Sequence, residues 1–365
     1  MRFPRAAAFA VVSCALVMAL TTAIGCTRLG PDSVTRDRSE YASSIAESWK
    51  RQTLLHIVKL RYLDPPIFVD VGQIVAGYTL QTDVTAAGTL SATDNLGGNL
   101  ATFGAAGHYT DRPTITYTPL TGNRFVRSLM MPLPPESVFY TIQSGWPADA
   151  VLLATVASIN GLKNQEVNGS SITPPDPRFL RVLKLMRQLQ LSGTVGMRVQ
   201  PNGDPQQGTL LTFRTTQIMP ETLEQSRELR TLLNLDPDAE GFSLAFGATA
   251  RSNREVAVLT RSILHLMQTM ASQVDVPPEH VQEGRVTPGW ESMPADQEPN
   301  RLVHIYSGKA EPDNACVMVH YRDRWFWIDD RDLRTKRTFA FMMLLFTLAD
   351  PGEKENPPVV TIPAQ

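Results

Sequence analysis

The chain is short of the side chains that most catalytic signatures need. Its 365 residues hold three cysteines and six histidines. The histidines (His56, His108, His265, His280, His304 and His320) stand apart, with no pair at metal-ligand spacing. There is no His-Glu-x-x-His, no paired Cys-x-x-Cys, no Gly-x-Ser-x-Gly and no phosphate-cradling glycine loop. Zinc peptidases, dithiol redox proteins, elbow-type hydrolases and P-loop nucleotide hydrolases therefore lack their sequence support. No cofactor is expected and no metal site. Charge of one sign is also scarce. The 34 basic and 36 acidic side chains give a formal net charge of −2. That balance leaves no electrostatic footprint for nucleic acid, and no polybasic patch for a membrane. Beyond residue 20, no run is long and apolar enough for a transmembrane helix.

What is there begins at the N-terminus. Arg2 and Arg5 form a short positive region, and Ala6 to Leu20 is apolar apart from Ser13. The run is too short for a comfortable membrane span and reads as a secretory signal peptide over residues 1–25. It ends in Ala23-Ile24-Gly25-Cys26. This ending resembles the lipobox of bacterial lipoproteins, with Ala23 where that family prefers leucine. The resemblance covers residues 1–26 and implies cleavage before Cys26, a diacylglycerol on its thiol and acylation (palmitate or similar) of the new amine. Each buried methylene adds about 0.8 kcal/mol, so two or three chains hold stably. The membrane, through this lipid, is then the first expected partner. Thr27, in place of Asp, favours the outer membrane by the sorting behaviour of some Gram-negative lipoproteins. The expected location is the cell envelope, facing the periplasm. Cys14 leaves with the signal and Cys26 carries lipid, so Cys316 stands alone and the mature monomer forms no internal disulfide.

The mature part reads as α+β, with helices and strands in runs rather than in strict alternation. Residues 26–38 are polar, a lipidated tether. Residues 39–160 form an N-terminal helix and hairpin region. Ser39 is the expected cap of a helix reaching Leu63, carrying Tyr41, Ile45, Trp49, Leu55 and Val58 at helical spacing. From Tyr78 the chain alternates apolar and polar residues to Ser91. Thr93-Asp94-Asn95-Leu96-Gly97-Gly98 supplies turn chemistry, and alternation resumes from Ala101 to Thr110. This predicts a long β-hairpin whose apolar face, rich in Ala, Gly and Thr, is thin. Residues 161–350 are the expected α+β body and 351–365 a flexible tail. Trp146 to Ile159, closed by Asn160-Gly161, and Glu255 to Gln273 each read as one helix. The body ends in strands at 302–306, 317–321 and 324–328, then a helix from Leu333 to Leu348.

Three weak chemical candidates remain. Asp330 and Asp332 match the Asp-x-Asp by which many glycosyltransferases hold a divalent ion. Carboxylates at a helix start equally serve as caps that complement its dipole. Cys316 with His304 or His320 offers a thiol and a base. Ala315-Cys316-Val317-Met318 also reads as a buried strand, where cysteine acts as an inert small hydrophobe. Trp325, Phe326 and Trp327 put three aromatics in one strand, which reads as one face in the core and one half-covered; the alternative is a face that stacks on a sugar or peptide.

The balance favours a lipid-anchored protein with a non-catalytic interaction or assembly role, whose partners are other envelope proteins. One alternative is a subunit of an oligomeric outer-membrane pore or secretion channel built on hairpin 78–110. Arms of that length cross a bilayer at the usual tilt. A second alternative is an envelope hydrolase or transferase.

Overall fold

The computed structural model describes residues 31–75, 78–89, 100–111, 114–119, 121–168, 171–198, 210–213 and 219–349. The signal, Cys26, the turns at 93–98 and 201–204, and the tail lie outside the described residues. Helices and mixed sheets together make the chain α+β.

Helix α1 (Pro31–Arg61) begins ahead of the expected Ser39 cap, with proline in its first turn, where a missing N–H costs nothing. It ends as Leu63 turns to a positive φ of 58° before Asp64-Pro65, because a residue preceding proline is pushed out of helical geometry. Among its described side chains, those of the C-terminal half dock. Leu54, Ile57 and Val58 are fully buried, while Ile45 and Trp49 remain 36% and 37% exposed.

Strand β1 (Val69–Val75) pairs antiparallel with β4 (Thr114–Pro119). Between them, β2 (Tyr78–Thr89) pairs with β3 (Leu100–Asp111) from Tyr78 opposite Asp111 to Thr89 opposite Leu100, without a bulge. The side chains of this segment, and with them the expected thin face, lie outside the described residues.

Helix α2 (Gly122–Phe125) runs into a π turn, and is followed by α3 (Pro135–Gln143) and α4 (Ala148–Thr155). The single helix expected from Trp146 to Ile159 is corrected here. It stops at Thr155, and Val156–Ile159 is strand β5. The cause is tertiary capping. Asn164 donates to the carbonyls of Leu153 and Val156, and Arg261 donates to those of Leu153 and Ala154. Carbonyls left open at a helix end are thereby satisfied. Asn160-Gly161 is then a tight turn into β6 (Leu162–Lys163) rather than a helix cap. Both residues have positive φ, 44° and 83°, as a type I′ hairpin turn requires.

A small hairpin of β7 (Glu166–Asn168) and β8 (Ser171–Thr173) leads to α5 (Pro177–Leu191). Asp176 caps α5 through the Arg178 amide at 2.8 Å. Strands β9 (Val195–Arg198) and β10 (Leu210–Phe213) pair antiparallel, and α6 (Pro220–Leu232) follows. Next come β11 (Gly241–Phe246), β12 (Glu255–Thr260) and α7 (Ile263–Ala271). The helix expected over 255–273 is thus a strand and a shorter helix. β12 lies inside the main sheet, of order β6-β5-β12-β11-β10-β9, parallel to β11 and antiparallel to β5. Val256, Ala257 and Val258 are buried in succession, the continuous apolar pattern of a central strand covered on both faces. Ser262 caps α7 by accepting from the His265 amide at 3.1 Å.

After α8 (Pro278–Gln282) the chain forms β13 (Tyr306–Gly308), β14 (Ala315–Tyr321), β15 (Arg324–Asp329) and α9 (Leu333–Ala349). β15 is central, antiparallel to both neighbours. The first of these strands starts later than expected. The amides of Leu302 and Val303 donate to Gln273 Oε1, and that of His304 to Thr335 Oγ1. Side chains rather than a ladder satisfy this buried backbone. The C-terminal half of α1 packs on α7 and β14. One apolar core runs from Leu54 through the main sheet to Phe326, Phe339 and Met342.

Candidate functional site

The three-stranded sheet has two unlike faces, fixed by the period of two. Phe326 and Ile328 point inward and are fully buried, beside Val317 and Val319. Trp325 and Trp327 point outward and are half-buried. Register places Tyr306, Trp327 and Met318 in one row across the sheet, and Gly308, Trp325 and His320 in the next. Tyr306 stacks on Trp327 with ring centres 5.7 Å apart, and His304 stacks on Tyr306 at 3.8 Å. The Trp327 ring also lies over Gly308, where an added Cβ would stand 3.2 Å from its carbons. His320 meets Trp325 edge-on at 5.2 Å.

Three carboxylates, Asp275, Asp329 and Asp332, and one cation, Arg301, lie near the Tyr306 end of this face. Burial raises the Tyr306 phenol above its ordinary value, and Asp332, Asp329 and Asp275 add to the rise. Asp275 receives His304 Nε2 at 2.7 Å and Arg301 Nη2 at 2.8 Å. Burial pushes the Asp275 carboxyl up, but those two hydrogen bonds and charges outweigh it, so it lies below the ordinary range. Arg322 sits at the other end, over Tyr62 at 4.9 Å and paired with Asp64 at 3.1 Å. Stacked rings within a field of carboxylates are suited to hold a cation against a π face.

The sequence candidates fall around this face without meeting. Asp332 caps α9, accepting from the Thr335 amide at 3.0 Å and from its hydroxyl at 2.5 Å. Asp330 pairs with Lys336 at 2.6 Å. Each carboxylate is engaged by its own local partner. Cys316 is half-buried at a register shift in β14 and packs against the core. No hydrogen bond joins it to His304 or His320 among the described residues. His304 is instead part of an Asp275–His304 pair and stacks on Tyr306, and among the described residues no hydroxyl or thiol is hydrogen-bonded to its ring. Within those residues, no three His, Cys, Asp or Glu side chains gather to hold a metal ion.

Sequence reasoning missed Asp275, Arg301 and Tyr306. The one available signal was the alternation His304-Ile305-Tyr306 against Trp325-Phe326-Trp327, which pairs two aromatic edges once the register is known.

Behind the face, buried arginines act on backbone. Arg61 donates to the carbonyls of Val274 and Thr287. Arg301 donates to those of Val303 and Gln273. Arg261 reaches Leu153, Ala154 and Gln165. Gln273 links these groups, giving its amide to Gln165 Oε1 at 3.2 Å. These charges fix the loops that carry Asp275 and His304. No family model, curated protein or solved structure matches the chain.

Proposed function

We propose that the chain is a lipid-anchored protein of the bacterial cell envelope. It is held at the outer membrane through Cys26, faces the periplasm and acts by binding rather than by catalysis. Its partner is another envelope protein, which offers lysine or arginine side chains to the Tyr306–Trp327 face. The observation that carries this reading is the pairing of half-buried stacked rings with Asp275, Asp329 and Asp332 around them. Cation–π contacts of this kind contribute about 0.5–2 kcal/mol each.

The test is a fluorescence titration of the Cys26→Ser chain with a short arginine-containing peptide and with its glutamate counterpart. The arginine peptide quenches tryptophan emission saturably, more weakly at high salt, and Trp327→Ala reduces its affinity about tenfold, a change of about 1.4 kcal/mol. Equal binding of both peptides, or no effect of Trp327→Ala, removes the face from the account.

A second reading keeps the hairpin as the working part, within an oligomeric pore or secretion channel. Two strands of 12 residues paired in unbroken register favour it. Detergent-extracted rings that vanish when residues 78–111 are removed would establish that reading in place of the first.

A further inference from the structure

We infer that the cleft between α4, α5 and α9 binds an anionic amphiphile: a phosphate or carboxylate head carrying an unbranched alkyl chain. The cleft holds about 360 Å³, within the range of small-molecule sites. Lys184 on α5 and Arg334 and Arg337 on α9 line it. The two arginines are three residues apart, so they share one helix face. Guanidinium forks of this kind match the paired oxygens of carboxylate and phosphate.

Lys184 and Arg337 make no ion pair or hydrogen bond with any described residue, so their charges are not committed to holding the fold. Asp149 is the carboxylate among the described lining residues. Arg187 stands 4.0 Å from its Oδ1, which keeps the positive sign of the surroundings. The rest of the wall decides what the anion is attached to. Leu153 and Leu180 line it with neighbouring aliphatic side chains, and none of the described lining residues is aromatic. A nucleobase or a sugar ring would find no stacking plate there. An alkyl chain gains about fourfold in affinity for each methylene it buries. Among the described residues the cleft shares none with the aromatic face, so the inference stands apart from the proposed function.

Isothermal titration of the full chain carrying Cys26→Ser tests it, with decyl phosphate below its micelle concentration, inorganic phosphate and decyl maltoside as probes. Decyl phosphate binds saturably at one per chain, at least tenfold tighter than either other probe. Arg337→Glu and Lys184→Gln each weaken it severalfold or more, with unchanged helical circular dichroism. Leu180→Ser weakens it as well. Decyl maltoside binding as tightly would reduce the cleft to apolar adhesion. Inorganic phosphate binding as tightly would exclude the alkyl chain. Unchanged affinity in both charge variants would place any binding elsewhere and overturn the inference.

Discussion

His56 lies on the inner side of α1, 5% exposed, with its ring edge-on to Phe68 at 4.3 Å. Burial pulls its pKa from 6.5 to about 4; the backbone hydrogen bond to Ile67 opposes this, and Lys59 adds to it. The unfolded chain takes up this proton below pH 6.5, and the folded chain only near pH 4. Stability from His56 is therefore complete above 6.5 and drains as pH falls through that window, by about 3 kcal/mol in all. Burial lowers His265 and His280 too, in the same sense. Urea unfolding between pH 7.5 and 4 should show this loss, and His56→Gln should flatten it. A wild-type midpoint independent of pH would refute the assignment. Arg261 is fully buried, and burial pulls its pKa down to about 10, so it stays charged at neutral pH. Arg261→Leu strands the Ala154 and Gln165 carbonyls and should cost about 2–4 kcal/mol, read as a lowered urea midpoint. Gly289 is a matter of room. An added Cβ would stand 2.7 Å from the Ser272 carbonyl and would run into the Arg61 guanidinium. Gly289→Ala should therefore destabilise by about 1–3 kcal/mol, and a melting temperature equal to wild type would count against that packing.

At the scale of elements, the legible parts were those whose ends are marked locally. The helix Leu333–Ala349 has Asp332 at its start, and the strand Arg324–Asp329 has period-two aromatics. Glu255 to Gln273 was not legible. Val258, Ile263, Leu266 and Met270 are all buried and fit a helical period, yet they belong to a strand and a helix. The decision between them is made by β11 and β5, which supply the ladder on either side of β12. The same holds for Val156–Ile159, where Asn164 and Arg261 end the helix from a distance. The face at Tyr306 needed the register of β13 on β15, which no local pattern encodes. Phe326→Ala on the inner face should cost about 3–5 kcal/mol, and Trp327→Ala on the outer face far less. Chemical denaturation of the two variants separates the faces. β1 and β4 bring Val75 opposite Thr114, so a short turn can replace residues 76–113. That replacement should leave the melting transition within a few degrees of the parent. A large drop would show that the hairpin supports the body.

At the scale of the whole molecule, a proposed lipid anchor, a scaffold and a face belong to one chain. Among the described residues no helix is long and apolar enough to cross a membrane. The proposed anchor is the lipid on Cys26. Cys26→Ser should move the protein from the membrane pellet to the soluble fraction after cell disruption. Retention in the pellet would assign attachment to another segment, the hairpin first. The scaffold is the six-stranded sheet with its helices, and the arginine network behind β13 fixes the loops around the face. The central claim is that this face meets a cationic segment of another envelope protein. Its most direct test places a photo-crosslinking residue at position 325 of the lipidated protein in intact cells, with position 140, exposed on α3, as the control. The account predicts an adduct from position 325 that maps to a lysine- or arginine-bearing segment and disappears with Trp327→Ala. The same adducts from both positions, or an adduct indifferent to Trp327→Ala, would contradict it.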